Sequence, residues 1–317
     1  MPQRIIFFLA ALSLLVFAPA GREAAAYADD EVKAEDLPDD ALKFSKPKAT
    51  LYDELILIDS NKATGIEARI KSERYNFLHL RFVINYKLPE GTETIQVDSN
   101  DISLVENGGK THPVIGAFDE NRIYSNWARS VWLRERSSRK NEFVDRIYAI
   151  PKDATGPYAL VINDLKTLRV ELPENISKPP HPSQMVDVEI KSIAWGDSVK
   201  GEMVRVGKDN IDTQFEVPGR RLLAVSLLVD ALDYNDDDGK SLNWNGQALS
   251  IRDNQGNLHA CHGGFFAGRL NPHAGHTSVV GEKTEKSETF FFSPPDEIES
   301  FELLWYGRPV ASHKMKK

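Results

Sequence analysis

The sequence predicts an all-β protein, built as two antiparallel β-sandwich domains in tandem. Three observations carry that reading. Apolar residues alternate with a period of two through much of the chain, the pattern of a strand with one face in a core. A proline-rich stretch, Pro173–Pro182, interrupts the alternation near the middle. The order of apolar runs and turns before that stretch recurs after it.

Taken in order, the chain opens on Arg4 and then an uninterrupted apolar run, Ile5–Phe17. Small residues follow, with A-x-A cleavage motifs ending at Ala20 and Ala28, so residues 1–28 read as a secretory signal peptide. The run is shorter than the roughly 20 apolar residues a membrane span needs, and Pro19 ends it. No later segment has spanning length, so no transmembrane segment is expected after cleavage. The expected location is exported, periplasmic or extracellular. One cysteine, Cys261, excludes an intrachain disulfide, so ordinary cores must hold the fold.

Residues 29–48 are acidic with scattered apolar residues, and read as a flexible leader. The first sandwich is expected over 49–173. Its clearest strand is Phe77–Leu88, where Leu78, Leu80, Phe82, Ile84 and Tyr86 point one way and His79, Arg81, Asn85 and Lys87 point to water. Further strands are expected at Glu54–Ile58, Ile66–Ile70, Thr94–Val97, Ile102–Val105, Val131–Leu133, Ile147–Ile150, Tyr158–Ile162 and Leu168–Leu172. Helix is confined to short pieces such as Asp119–Arg129. Prolines stiffen 174–186 into a linker.

The second sandwich is expected over 187–312. Val186–Ile190 with Ile193–Trp195 corresponds to the strand around Glu54–Ile58, and Leu222–Leu232 to Phe77–Leu88. Ala248–Ile251 followed by Asp253–Asn257 matches Ile102–Val105 followed by Glu106–Gly109. Ile147–Asp153 parallels Phe290–Asp296, each followed by an alternating strand. These segments, from LLAVSLLVD through ALSIRDNQGN to ETFFFSPPDEIESFELLW, resemble the secreted bacterial immunoglobulin-like domains of unknown function, whose members include mycobacterial immunoprotective antigens. The resemblance covers most of 187–310 and, more faintly, 49–173. It implies two immunoglobulin-like sandwiches that act by binding, and it brings no catalytic residues.

Composition and motifs bear on function separately. The net charge is −8, and loss of residues 1–28, with Arg4, Arg22 and Glu23, makes it −9. That balance argues against nucleic acid, which is bound through Lys and Arg. The run Arg134–Lys140 (RERSSRK) is a basic patch or, more plainly, a solvated strand end. The segment His259–His276 holds four of the eight histidines and the single cysteine. His259, Cys261, His273 and His276 are the candidate ligands for zinc or copper, although their spacing matches no established pattern. The alternative is a solvated loop beside a buried cysteine. Asp233–Gly239 has carboxylates at alternate positions, but its glycine is misplaced for a calcium loop.

No serine-hydrolase elbow, zinc-protease motif or phosphate loop is present. Trp127, Trp132 and Trp244 are candidate sugar-stacking faces or core residues; Trp195 and Trp305 are assigned to cores. The expected function is a non-catalytic, exported binding module. Its expected partner is an extracytoplasmic protein or a carbohydrate, with metal handling as the alternative.

Overall fold

The protein, a computed structural model, is described over residues 37–38, 41–58, 67–118, 122–135, 140–162, 166–204, 210–232, 242–266, 268–271, 277–280 and 286–315. Among these residues it is all β in several sheets, with three short 3-10 turns and no α-helix. Among the described residues no helix is long and apolar enough to cross a membrane.

The first half begins with β1 (Leu42–Phe44), β2 (Lys48–Tyr52), β3 (Glu54–Ile58), β4 (Glu67–Lys71), β5 (Tyr75–Tyr86) and β6 (Thr94–Val97). It continues with β7 (Ile102–Glu106), β8 (Thr111–His112), β9 (Val114–Phe118), β10 (Tyr124–Ser125) and β11 (Val131–Arg134). It closes with β12 (Asn141–Pro151), β13 (Tyr158–Ile162) and β14 (Lys166–Val170). One larger sheet runs β2-β5-β12-β9-β10, a second runs β14-β13-β7-β8, and β3-β4 and β6-β11 form separate pairs.

A two-residue strand, β15 (Ile176–Ser177), precedes the second half. That half holds β16 (Val186–Gly196), β17 (Val199–Val204), β18 (Asn210–Phe215), β19 (Leu222–Ala231), β20 (Leu242–Asn245) and β21 (Leu249–Asp253). Next come β22 (Leu258–Ala260), β23 (Gly263–Phe266), β24 (Arg269–Asn271) and β25 (Thr277–Val280). Last are β26 (Lys286–Phe292), β27 (Ser300–Trp305) and β28 (Arg308–Lys314). The pairings follow the same order as before: β16-β19-β26-β23-β24, then β28-β27-β21-β22, with β17-β18 and β20-β25 apart.

Each half closes around one face of its long strand. Leu78, Leu80, Phe82, Ile84 and Tyr86 of β5 pack with Leu104, Leu160 and Ile162. Leu223, Val225, Leu227 and Val229 of β19 pack with Ile251, Phe290, Leu303 and Trp305. Burying a side chain of this size contributes about 1.5–3 kcal/mol.

The other sheet face is not open to water as the alternation of β5 suggests. His79 and Arg81 are buried: the His79 ring packs against Tyr52 and Phe118, and Arg81 lies over the Phe143 ring. The β3–β4 hairpin lays Leu55 and Ile70 over neighbouring Phe77 and Ile147. The β17–β18 hairpin does the same in the second half, bringing Val199 and Phe215 against Leu222 and Phe291. Gly201 on β17 has no room for a side chain, since an added Cβ would meet the Phe265 ring at 2.6 Å.

Several expectations are corrected. The leader is ordered from Ala41, and β1 pairs with β5 through Leu42↔Tyr86, because Ala41 is buried and Leu42 and Phe44 pack against the core. By pairing, the counterpart of β16 is β2; β3 matches β17 instead. The described part of Asp119–Arg129 holds strand β10 and no helix, since Tyr124 pairs with Phe118. The proline stretch is fastened as well: β15 runs parallel to β2, and Pro182–Gln184 forms a 3-10 turn.

The halves meet at the β3–β4 hairpin. Ile56 and Ile58 point away from Leu55 and join the second core. On the same hairpin face Glu67 holds Arg308 of β28 in a bidentate ion pair, with contacts of 2.8 and 2.6 Å to Nη2 and 3.1 Å to Nε.

Candidate functional site

The His259–His276 segment is only partly described. His259 lies on β22, where its Nε2 meets Asp253 Oδ2 at 3.0 Å. Asp253 ends β21 and closes its turn by accepting from the backbone N–H groups of Gln255 and Asn257, both at 2.9 Å. Burial alone would raise that carboxyl, but the bonds from His259, Asn257 and Gln255 outweigh it and hold it at about 2.

Cys261 follows β22 and packs against the second core, with its thiol donating to the Gly263 carbonyl at 3.3 Å. Burial pushes the thiol up to about 12, so the protonated form prevails at neutral pH. His273 and His276 lie outside the described residues. Among the described residues no group of three or more His, Cys, Asp or Glu is placed to hold a metal ion. The acidic loop Asp233–Gly239 and Arg136 and Arg139 of the basic run also lie outside them.

His262 turns toward Ser293, and its Nε2 meets the hydroxyl at 2.7 Å. Burial and then the Arg220 charge hold this imidazole below its ordinary range. The couple has the composition of a nucleophile and its base, but no carboxylate is bonded to His262 among the described residues.

His259 and Ser293 line a cleft of about 830 Å³ at this end of the second half. Three turns form its walls. The first, Val217–Arg220, has proline then glycine at its centre, and the Arg220 N–H donates to the Val217 carbonyl at 3.0 Å. Gly219 takes φ +72°, as the second central residue of a type II turn must. This turn lifts Arg220 and Arg221 to the rim.

The second wall is Ser293–Glu297. Pro294 and Pro295 carry no N–H, so β26 stops pairing at Phe292↔Leu223 and the chain peels away. The third is the end of the Asp253–Asn257 turn, with His259 of β22 beside it.

The charges in the cleft are not all matched. Arg221 is shared between Asp197 at 3.7 Å and Asp296 at 3.8 Å, and lies over the Trp195 ring at 5.5 Å. The Arg220 guanidinium makes a single long bond, 3.4 Å, to the Ser293 carbonyl. Glu297 lines the same cleft. Among the described residues neither Arg220 nor the two lining glutamates, Glu216 and Glu297, has an ion pair, so the cleft offers one unpaired guanidinium and two unpaired carboxylates.

The tryptophans divide. Trp244 and Trp305 are core residues with ring centroids 4.7 Å apart. Trp127 and Trp132 are 75% and 45% exposed. Sequence reasoning missed Arg220, Arg221 and Ser293. The signals that mark them are two turn sequences, Val217-Pro218-Gly219-Arg220 and Ser293-Pro294-Pro295-Asp296.

No family model, curated protein or solved structure matches this chain.

Proposed function

We propose that this is an exported, non-catalytic binding protein made of two immunoglobulin-like sandwiches, whose second half takes a small zwitterion in its cleft. The ligand class is an amino acid or short peptide with both charged termini free. The carrying observation is the cleft itself, lined by an unpaired arginine, Arg220, and by two glutamates without an ion pair, Glu216 and Glu297. Its volume, about 830 Å³, lies within the roughly 300–1,000 Å³ of small-molecule sites. Arg220 suits a carboxylate because its fork can donate two parallel hydrogen bonds. Glu297 is the counterpart for an ammonium group. The recurring strand-pairing order supports a duplicated module, and the apolar run at Ile5–Phe17 supports export.

The test is calorimetric titration with triglycine, its N-acetyl form and its C-terminal amide. Triglycine is expected to saturate one site, and each blocked form to bind at least tenfold more weakly. Arg220→Ala should lose about 1.5–3 kcal/mol, tenfold or more in affinity. The peptide should be recovered intact after prolonged incubation. Equal uptake of all three forms, or no uptake, contradicts the reading.

Exposure of Trp127 and Trp132 favours a second reading, a carbohydrate stacked on the first half. Loss of glycan-array binding in Trp127→Ala would support it.

A further inference from the structure

The junction between the halves contains a histidine that neither core nor cleft accounts for. His181, in the linker, is 0% exposed and caps the 3-10 turn Pro182–Gln184. Its Nδ1 accepts the Ser183 N–H at 3.2 Å and meets the Ser183 hydroxyl at 2.8 Å. The His181 N–H in turn donates to Gln184 Oε1 at 3.1 Å. A nitrogen that accepts a backbone N–H carries no proton of its own, so in the neutral ring the proton sits on Nε2. Nε2 makes no well-formed hydrogen bond: the Tyr306 backbone carbonyl is the acceptor beside it, and the nearest carboxylate oxygen, Glu67 Oε2, is 3.9 Å away.

The groups facing this ring come from three elements. From β4 come Glu67 and, beside it, Arg69, whose Nη2 lies 2.9 Å from Glu67 Oε1. From β28 comes Arg308, paired with both oxygens of Glu67, with the Tyr306 backbone next to it. From the linker turn come Ser183 and Gln184. Glu67 is therefore already engaged by two guanidinium groups before His181 gains any charge.

We propose that His181 makes this junction a proton-gated latch, in which protonation of Nδ1 releases the linker turn and lets the β3–β4 hairpin leave the second half. The added proton turns the capping acceptor into a donor facing the Ser183 N–H. It also places a buried imidazolium beside Arg308, where neither solvent nor a free carboxylate compensates it. Burial, then the Arg308 charge, depresses the ring to about 4 in the closed junction. An imidazole exposed by opening titrates near 6.5. The open state therefore binds more protons than the closed one, so junction stability is full above about 6.5 and declines as pH falls toward about 4. Carboxylates stay ionised through the upper part of that window. Opening would bare Ile56, Ile58 and Ile123, which the second core now covers.

The test is amide hydrogen exchange on the full chain at pH 7 and pH 5, corrected for the intrinsic pH dependence of exchange. Protection of the β3–β4 amides is expected to fall about twenty-fold, while that of β5 and β19 amides holds. His181→Asn keeps a good capping side chain and cannot titrate, so its β3–β4 protection should be the same at both pH values. If that variant does not fold, His181→Ser serves, being a capping residue of the same kind. Less than a twofold fall in the wild type overturns the latch, as does an equal fall in the non-titrating variant. His79 and His262 also titrate low, but they lie on β5 and at the cleft and are unchanged in both proteins.

Discussion

The two halves share one pairing order and differ at two corresponding places. The first is the hairpin that crosses the large sheet. In both halves its inward face is apolar: Leu55 and Ile70 in one, Val199 and Phe215 in the other. The outward faces diverge. On β3–β4 the cross-strand pairs are Ile56↔Arg69 and Ile58↔Glu67, and both isoleucines are buried in the opposite half. On β17–β18 they are Lys200↔Gln214 and Glu202↔Asp212, all exposed.

The second place is the exit of the strand that pairs with β5 or β19. In the first half β12 ends in Pro151, and the Lys152 N–H still closes onto the Arg74 carbonyl at 3.0 Å. In the second half two consecutive prolines follow Ser293, the walls stay apart, and the cleft lies between them. The same pairing order thus carries a docking surface in one half and a pocket in the other, set by two isoleucines and two prolines.

The comparison breaks most sharply at the hairpin. Ile56→Asp would bury a carboxylate between the halves, opposite an Arg69 already engaged by Glu54 and Glu67, and urea unfolding should report a loss of about 3–5 kcal/mol. Arg308→Ala removes one side of the bidentate pair with Glu67 and should cost about 1–3 kcal/mol in the same assay. Asp253→Asn tests whether the third cleft wall depends on its charge. About 1–2 kcal/mol should be lost at pH 7, because His259 and the turn N–H groups would no longer meet a carboxylate. Because Asp253 is held at about 2, below the ordinary carboxyl range, its contribution should be fully present above about pH 4 and lost as pH falls through about 2. Glu202→Ala, on the uncovered hairpin, should change stability by no more than about 0.5 kcal/mol. A large effect there would mean that the second hairpin is also covered.

The strands were legible because alternation reports one buried face directly. Thr94–Val97 and Tyr158–Ile162 have the bounds read from sequence, and Phe77–Leu88 shifts by two residues at each end. The polar residues of β5 misled, because His79 meets Asp145 of β12 at 2.7 Å and is packed over by Tyr52 of β2 and Phe118 of β9. Alternation sees one strand at a time and cannot show what covers it. The same limit hid the cleft: Arg220, Asn257 and Ser293 are far apart in sequence and meet only through three turns. Histidine and cysteine drew notice by their rarity, whereas the residues offering free charge are common types placed by proline and glycine.

The claim that the second half binds is tested most directly by amide chemical-shift mapping of the labelled full chain during a triglycine titration. Saturable shifts are expected at Gly219, Arg220, Asn257 and Asp296, with none at Arg74, Lys110 and Asp153, the first-half counterparts of the last three. Shifts that never saturate, or that fall equally on the two ends, would contradict it.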